Sequence, residues 1–540
     1  MTQIIECVPN FSEGRDTNVI NAIAEAIRNT SGVNLLDVDP GKSTNRTVYT
    51  FVGDKKSVVE AALAASRVAL KMIDMTKQTG EHPRMGALDV CPFIPIRNAT
   101  MQDCIDCSLD FAKRVSEELK IPIYLYEESQ SETYRKRLPD IRQGEYEAFS
   151  TKIYKPEWKP DFGPQEFIPS WGATVTGARK FLIAYNVNVL GTNNQAHRIA
   201  LNLREAGRSE QEPGALKEVK AIGWQVDEYN MAQVSMNLND YNVTPPHIAY
   251  ESCLAEAKKL NVGIAGSELV GLIPLDAIIS AAEYYIKAEN LFIVDEKQKV
   301  RLAVERLGLN SITSFIPEKR IIEYLIQEPL NEPLANLSVR QFVEAVAART
   351  AAPGGGSVAA TIASLGVGLG TMVAWLTYGV RKFEHLDSEL RQIIPNLEAT
   401  TQKLIPMIDA DTNAFNDYLD AVRLPKETKE QIEIRDIALQ NGLKKAIETP
   451  LNVMKIGNSI WNEMIDVAKY GNIASKSDTL VGARALELGI WGAYQNVMIN
   501  MQQITDEIYK QETLTFAETL ATNAKNKSEE IIGILSKRNS

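Results

Sequence analysis

The sequence predicts an α+β protein, with two ferredoxin-like-type subdomains, followed by an all-α helical bundle. Three observations lead to this fold class. Strand-like and helical patterns alternate up to Leu119. Between residues 180 and 265 the patterns follow the order β-α-β-β-α-β, which is typical of the ferredoxin-like split βαβ motif. After a proline-containing stretch at 327–337, nearly every segment has helical periodicity.

The first subdomain, residues 1–179, begins with short runs of β-branched and aromatic residues. These runs predict the strands Ile4–Val8, Leu35–Asp39, Thr47–Val52 and Phe93–Ile96. Apolar residues at i, i+3, i+4 spacing predict the helices Asn18–Arg28, Lys56–Asp74 and Met101–Leu119. Lys155–Ala178 contains four prolines and three glycines, so it is predicted to be a loop.

The second subdomain, residues 180–326, contains the β-α-β-β-α-β pattern. Its predicted strands are Lys180–Leu190, Glu218–Val226, Met231–Leu238 and a short one that begins at Val262–Ala265. Its predicted helices are Asn193–Arg204 and Pro245–Leu260.

The segment QEPLNEPLANL, Gln327–Leu337, has two prolines among polar residues and is predicted to be a linker. The helical domain, residues 338–540, follows it. Its predicted helices are Ser338–Arg349, Ser357–Tyr378, Leu390–Leu424, Lys429–Ile447, Leu451–Lys469, Val481–Gln502 and Thr513–Leu535.

The uncharged stretch Ser357–Val380 is long enough to span a bilayer. It is also rich in small residues, including Gly366 and Gly370. We therefore predict a central bundle helix that is buried all round rather than a membrane span.

The composition narrows the class of protein. The net charge of -11 argues against a general nucleic-acid-binding protein, which needs a basic surface. Five scattered cysteines and a start without a signal-peptide pattern predict a cytoplasmic protein. Gly41-Lys42-Ser43 has Leu36 where a P-loop needs glycine, and Gly354–Gly356 lacks the dinucleotide-binding spacing. We expect neither a nucleotide nor a metal.

One of only four histidines lies in TGEHPRMGALDVCPFIP, Thr79–Pro95. Histidine is the side chain best matched to proton transfer near neutral pH. His82 is flanked by Glu81 and Arg84, with Asp89 nearby, and a carboxylate there could orient one ring nitrogen. The pattern alone leaves two interpretations open: a catalytic histidine, or one that only stabilises its own loop.

The His82 stretch resembles the active-site segment of formiminotransferases. Four further stretches resemble the same family: Glu6–Asp16, Ser43–Gly53, Pro160–Pro164 and Trp171–Asn188. Beyond the linker, four stretches resemble cyclodeaminases: Ala351–Ala360, Asp409–Phe415, Arg423–Lys426 and Tyr470–Asp478, the last with Ala474 where stand-alone members often carry Asn. In order and length, the chain resembles the fused formiminotransferase-cyclodeaminase family.

The resemblance implies a transferase and an ammonia-releasing cyclodeaminase of histidine degradation and one-carbon metabolism. A formimino group would pass from N-formimino-L-glutamate to tetrahydrofolate, a co-substrate that occurs with polyglutamate tails. The product, 5-formiminotetrahydrofolate, would then be cyclised to 5,10-methenyltetrahydrofolate with release of ammonia. The resemblance assigns the first proton transfers to His82 and also implies a homo-oligomer.

The resemblance also implies a folate-binding segment. It comprises Gly163, Pro164, Gln165, Glu166, Phe167, Ile168, Pro169, Ser170, Trp171 and Gly172. Phe167 and Trp171 offer flat apolar faces for a pterin, and loop amides offer hydrogen bonds. The alternative is an interdomain crossover in which Trp171 fills the core.

In Leu404–Leu419, helical periodicity places Asp411 on the same face as the apolar residues and Asp409 on the opposite, polar side. An acid among apolar residues should have a raised pKa, which marks a candidate catalytic group. The alternatives are a position that reaches water, or a buried acid paired with a lysine or arginine. The resemblance implies that Asp411 accepts the proton in the cyclodeaminase reaction.

Two helix starts are candidates for binding the cyclodeaminase substrate through unpaired amides. They comprise Gly354, Gly355, Gly356 and Ser357, and Ser477 and Asp478. Two other functions stay open at this stage. One is a folate formyltransferase that uses N-formylglutamate, and the other is a folate-binding scaffold without turnover.

Overall fold

The computed structural model describes residues 3–42, 44–80, 83–226, 230–326 and 332–538. The chain forms two compact units, Met1–Gln327 and Glu328–Ser540. The first unit is α+β and the second is helical, so the predicted fold class is confirmed. The boundary between the two subdomains of the first unit stays a prediction.

The first sheet follows a ferredoxin-like order that is extended at one edge. Its strands are β1 (Ile4–Cys7), β2 (Asn10–Phe11), β3 (Val33–Gly41), β4 (Arg46–Gly53), β5 (Leu88–Arg97), β6 (Ile123–Glu127) and β7 (Thr174–Ala178). The strand order begins with β3, β4, β1 together with β2, and β5, and these strands pair antiparallel. Beyond β5 lie β7 and then β6, and these two strands pair in parallel. The accompanying helices are α1 (Thr17–Arg28), α2 (Lys55–Met72), α3 (Met101–Leu119), α4 (Leu138–Arg142) and α5 (Glu145–Lys152).

The loop prediction for Lys155–Ala178 is wrong at its C-terminal end, where β7 lies between β5 and β6. β7 has the sequence TVTGA and is fully buried. The hydroxyl groups of Thr174 and Thr176 each donate to a carbonyl oxygen of β5 at 2.7 Å. Because these bonds satisfy the hydroxyl groups, small polar residues can occupy a buried strand without the usual apolar pattern.

The second subdomain has the predicted ferredoxin-like sheet. Its elements are β8 (Ile183–Leu190), α6 (Asn193–Leu203), β9 (Val219–Val226), β10 (Met231–Leu238), α7 (Pro246–Lys259) and β11 (Gly263–Val270). The strand order is β11-β8-β10-β9 with antiparallel pairing throughout. Four helices follow: α8 (Leu275–Ala288), α9 (Glu296–Arg306), α10 (Pro317–Arg320) and α11 (Ile322–Leu325).

The second unit consists of helices. They are α12 (Val339–Val346), α13 (Gly355–Thr377), α14 (Asp387–Leu404), α15 (Met407–Val422), α16 (Lys429–Asn458), α17 (Trp461–Tyr470), α18 (Lys476–Met501) and α19 (Glu507–Lys537). The predicted helix breaks are wrong in two places. The predicted helix Leu390–Leu424 is interrupted at Ile405 and Pro406. The break predicted between Ile447 and Leu451 lies instead at Ser459 and Ile460, because α16 continues through the buried Pro450 and the predicted helix Leu451–Lys469 is divided there.

α13 packs closely on α18, and glycines make this possible. Gly366 faces the backbone of Gly482 and Leu486. The prediction that α13 is buried all round is wrong, because Leu365 is 61% exposed and Leu376 is 51% exposed. In the described parts of the chain, α13 has the length and composition of a membrane span, but more than half of its most apolar 18 residues are buried inside the protein.

Asp409 was predicted on the polar side of α15, but at this residue that side is covered rather than open to solvent. Only 3% of the residue is exposed. Its carboxylate accepts hydrogen bonds from the amides of Leu334 at 2.8 Å and Ala335 at 3.0 Å. The end of the predicted linker thus covers the polar side of α15, which is why the periodicity of α15 alone was misleading.

Asp409→Ala is expected to lower the free energy of unfolding of the helical unit by about 2–3 kcal/mol, because two backbone donors lose a charged acceptor. Hydrogen exchange at Leu334 and Ala335 should accelerate accordingly. Asp417→Ala is the matched control, since Asp417 lies on the same helix in an exposed ion pair with Lys445. Equal destabilisation by both variants would contradict the anchoring role of Asp409.

Candidate active sites

The carboxylate of Asp411 lies against the N-terminus of α13. Its Oδ2 accepts a hydrogen bond from the Ser357 amide at 3.0 Å, and the Ser357 hydroxyl lies 3.5 Å from the same oxygen. The first amides of a helix have no intrahelical acceptor and carry partial positive charge. α13 therefore holds Asp411 at the helix end that favours a carboxylate.

Gly356 makes this approach possible. A Cβ atom at this position would overlap the Asp411 carboxylate. Any larger residue would therefore displace either the side chain of Asp411 or the first turn of α13. Gly356, the third glycine of GGGS, is therefore explained by close packing against Asp411 rather than by turn formation.

Burial raises the pKa of Asp411 above its ordinary value, and the amide and hydroxyl groups of Ser357 act in the opposite direction. Loss of hydration is the larger effect. The predicted raised pKa thus has its expected physical cause, and the ionised group is held by hydrogen bonds rather than by a basic side chain. Such a carboxylate can accept a proton and return it nearer to neutral pH than an exposed aspartate can.

Asp411 lines a cavity of about 330 Å³ within the helical unit. This volume lies within the usual range of small-molecule sites. The residues around the cavity come from the segment before α13 and from α13, α15, α16 and the end of α18: Ala351, Ala352, Gly354, Gly355, Asp411, Phe415, Tyr418, Leu443, Ala446, Asn496, Ile499, Asn500 and Gln503.

The structure brings four of the six candidate substrate-binding residues to Asp411. Gly354 and Gly355 line the cavity, while Gly356 and Ser357 contact the carboxylate. Ser477 and Asp478 lie in the first turn of α18, whereas Asn496 lies near its end. At 1.5 Å per residue this separation is about 28 Å, so one chain does not bring the two groups together.

His82 and Glu81 lie outside the described residues, but both flanks of their loop are described. A Cβ on Gly80 would overlap the backbone of Thr44, and one on Gly86 would overlap the backbone of Trp171 and Ala173. The amide of Ala173 donates to Met85 at 3.0 Å. The described residues on either side of Glu81 and His82 are therefore held by close backbone contacts.

The segment Gly163–Gly172 meets the His82 loop directly. Gly172 pairs with Gly86 in an antiparallel bridge, and the amide of Ala87 donates to Trp171 at 2.8 Å. Phe167 is half-buried and packs against Tyr146 and Phe149. In this segment Gly163, Gln165, Glu166, Pro169 and Ser170 are exposed, and Pro164 and Ile168 are half-buried.

Trp171 is not available to stack on a pterin in this structure. The residue is completely buried, and its indole N–H donates to Thr174 Oγ1 at 3.0 Å. The alternative, in which Trp171 fills the core, describes its position correctly. An aromatic residue between glycines indicated a ligand face, but the same pattern also fits a side chain that anchors a loop.

Sequence reasoning missed the buried charged cluster beside the His82 loop. Asp89 is 1% exposed; it accepts a hydrogen bond from the Met85 amide at 2.9 Å and pairs with Arg142. Burial lowers the pKa of Arg46 to about 10, and Asp89 acts in the opposite direction. In the sequence, the only indication of this cluster is Asp89 itself, an acid that interrupts the apolar run of β5. It did not identify Arg46 or Arg142 as neighbours.

Asn496 and Asn500 were also missed at the Asp411 cavity. They come from the end of α18, and no local pattern connects them with α15.

Within the described ranges, no three His, Cys, Asp or Glu side chains are grouped as metal ligands.

Three family models match the chain: "Formiminotransferase domain, N-terminal subdomain" at residues 4–179, "Formiminotransferase domain" at 184–327 and "Formiminotransferase-cyclodeaminase" at 338–519. The chain is similar to formimidoyltransferase-cyclodeaminase of Dictyostelium discoideum, with 58% identity over 540 residues and complete coverage of both chains. The Gallus gallus protein of the same name is 52% identical over 539 residues, again with 100% coverage of each chain.

A shorter relative matches part of the chain. Glutamate formimidoyltransferase of Streptococcus pyogenes serotype M1 is 42% identical over 292 residues, which are 54% of this chain and 95% of that protein. The full-length similarity, together with the three family models, shows that this chain belongs to the formimidoyltransferase-cyclodeaminase family.

Proposed function

We propose that the chain transfers the formimino group of N-formimino-L-glutamate to N5 of tetrahydrofolate and releases glutamate. It then cyclises 5-formiminotetrahydrofolate to 5,10-methenyltetrahydrofolate and releases ammonia. The relatives' names describe both activities. The observation that carries the proposal in this chain is the half-buried Asp411 carboxylate, held by the Ser357 amide, at a cavity of suitable size.

In the first reaction, N5 attacks the formimino carbon and must lose a proton, while the glutamate nitrogen must gain one to leave. We assign both transfers to His82, a contribution of roughly 10²–10⁴-fold. The segment Gly163–Gly172, which meets the same loop, is the proposed folate-binding element. Arg46 and Arg142 support a site for N-formiminoglutamate, because guanidinium groups match the geometry of carboxylates.

In the second reaction, N10 attacks the formimino carbon that is attached to N5. The Asp411 carboxylate accepts the N10 proton, and the resulting acid returns a proton to the amino group that leaves as ammonia. Gly354, Gly355 and the first turn of α13 surround the substrate in this proposal. The other candidates, Ser477 and Asp478, would contribute only from a second copy, because α18 separates them from this cavity.

The decisive experiment supplies purified protein with N-formiminoglutamate and tetrahydrofolate and follows methenyl absorbance and ammonia together. Equal amounts of both products are expected. A formyltransferase would instead use N-formylglutamate and release no ammonia, and a folate-binding scaffold would bind folate without turnover. Either result would contradict the proposal.

The pH dependence of cyclisation should report the raised pKa of Asp411. The carboxylate must be ionised to accept a proton, so activity is lost as pH falls through this pKa. The midpoint is expected above the ordinary aspartate value of about 3.9. Ser357→Ala should move the midpoint higher, because the hydroxyl lowers the pKa. A midpoint at or below the ordinary value would contradict this assignment.

Gly356→Ala is expected to lower the rate of cyclisation by about 100-fold, because the added Cβ displaces the reacting carboxylate by an ångström or more. Supplied 5-formiminotetrahydrofolate is the substrate for this measurement. Gly368→Ala is the control on the same helix, since a Cβ there meets nothing within 4 Å. An active Gly356→Ala enzyme would show that the observed Asp411 position is not required.

We further propose that the protein is a cytoplasmic homo-oligomer. Its α12 has no buried residue, and Val339, Val343, Leu365 and Leu376 are all more than half exposed. Gly366 packs against α18, whereas Leu365 and Leu376 lie together on an adjacent, exposed side of α13, and this apolar side is available to a second copy. Light scattering should give a multiple of 59.9 kDa, and Leu365→Arg should reduce it.

A further inference from the structure

Three side-chain oxygens of residues that line the Asp411 cavity have no protein donor in the described part of the chain. The hydrogen bonds that reach the Asp411 carboxylate all end on Oδ2, and no donor within the described part of the chain reaches Oδ1. Asn496 uses its Nδ2 to donate to the carbonyl of Gly492 at 2.9 Å, one helical turn earlier. Since Nδ2 faces a carbonyl, the opposite atom of the amide, Oδ1, is an acceptor without a protein donor.

Asn500 shows the same arrangement. Its Nδ2 donates to the carbonyl of Ala446 at 3.2 Å, which again leaves an amide oxygen without a protein donor. Asn496 and Asp411 lie against neighbouring residues at the start of α13. The amide atoms of Asn496 lie 3.4 and 3.7 Å from the position of a Cβ on Gly355, and the next residue, Gly356, contacts Asp411.

No lysine, arginine or histidine lines this cavity among the residues that the structure describes. Asp411 is a half-buried carboxylate that no basic side chain of the described lining neutralises, so a ligand that brings donors and positive charge is favoured there. A protonated formimino group provides both, because its terminal nitrogen carries N–H donors and shares the positive charge of an amidinium.

We infer that Asn496 is a specificity-determining residue that, with Asp411, selects the donor-bearing formimino group and rejects the formyl group. This inference rests on the proposed cyclodeaminase function and extends it to the chemistry of the reacting group. A formyl group has an acceptor oxygen where the formimino group has N–H donors. It would oppose the oxygens of Asn496 and Asp411, and a site built for hydrogen-bond donors rejects such an analogue strongly.

The reaction balances with these groups alone. The amidinium cation accepts the N10 lone pair at its carbon, and the N10 proton moves to Asp411. The new amino group takes that proton and leaves as ammonia with breakage of its C–N bond. The 5,10-methenyl cation keeps the single positive charge, so the oxygens of Asn496 and Asp411 face positive charge until ammonia departs.

The test compares two folates on the full-length protein, 5-formiminotetrahydrofolate as substrate and 5-formyltetrahydrofolate as competitor. Wild type is expected to bind the formyl compound roughly 100-fold more weakly. Asn496→Leu should lower kcat/KM for the formimino substrate by about 10- to 100-fold without weakening formyl binding. Asn496→Asp keeps an acceptor oxygen in place and should retain the preference for the formimino compound.

Asn458→Leu is the control away from the cavity: Asn458 makes the same bond to the carbonyl one turn earlier, at 2.9 Å to Met454, and its oxygen accepts from Asn523 rather than facing a ligand. An unchanged ratio between the two folates in Asn496→Leu would overturn the inference, and so would equal affinity of wild type for both. If wild type released no ammonia, the proposed function itself would fail. Equilibrium dialysis of both folates with wild type and Asn496→Leu would still measure the preference of this cavity, because the first folate site is the same in both proteins.

Discussion

Asp411→Asn is expected to lower the rate of cyclisation by at least about 100-fold, the lower end of the range for general acid–base catalysis. 5-Formiminotetrahydrofolate should accumulate and little ammonia should be released. The reason is that an amide has nearly the shape of the carboxylate but cannot accept the N10 proton. The measurement is a time course of methenyl absorbance and ammonia from N-formiminoglutamate and tetrahydrofolate.

Stability separates a chemical from a structural defect in this variant. Burial raises the pKa of Asp411, so its ionised form disfavours the folded state. That cost is absent below the unfolded-state pKa and develops as pH rises through the folded-state pKa. Asn resembles the protonated acid, so Asp411→Asn should be at least as stable as wild type at neutral pH. A variant that is stable and fully active would contradict the assignment of Asp411.

His82→Ala is expected to abolish formimino transfer and to leave the cyclisation of supplied 5-formiminotetrahydrofolate unchanged. Loss of the proton shuttle should lower transfer by roughly 10²–10⁴-fold. The two activities are measured separately, by glutamate release in the first reaction and by methenyl absorbance in the second.

His197→Ala is the control for His82→Ala, because His197 is an exposed histidine on α6 of the same unit. It should retain both activities. Transfer at a near-normal rate in His82→Ala would show that another group shuttles the proton. Loss of both activities in His82→Ala would show that the substitution damages more than the first site.

Most of the fold could be predicted because it depends on local periodicity. The strand and helix order of the second subdomain, from β8 to β11, was predicted with small errors at the ends. The errors at Pro450 and Pro406 have a common cause. Proline removes one amide donor and disfavours the preceding helical turn, but packing determines whether the helix continues. Pro450 is buried among its neighbours, whereas Pro406 begins α15.

The candidate site could be predicted only where one helix carries the information. Asp411 was identifiable as a candidate because the apolar face of α15 is visible in its own sequence. Asn496 was not, because α18 brings it to the cavity through tertiary packing. Asp409 and Trp171 show the same limit. A local pattern gives the side of a helix or the character of a loop, but not the segment that covers it.

The contact between Asp409 and the amides of Leu334 and Ala335 also determines where the gene can be divided. A coding sequence for the bundle that begins at Ser338 would lack both donors and leave a buried carboxylate unsatisfied, two residues before Asp411. One that begins at Glu332 would retain them. An engineer who replaces the first unit with another protein must therefore transplant residues 332–337 together with the helices, because this short peptide belongs to the enzyme downstream of it.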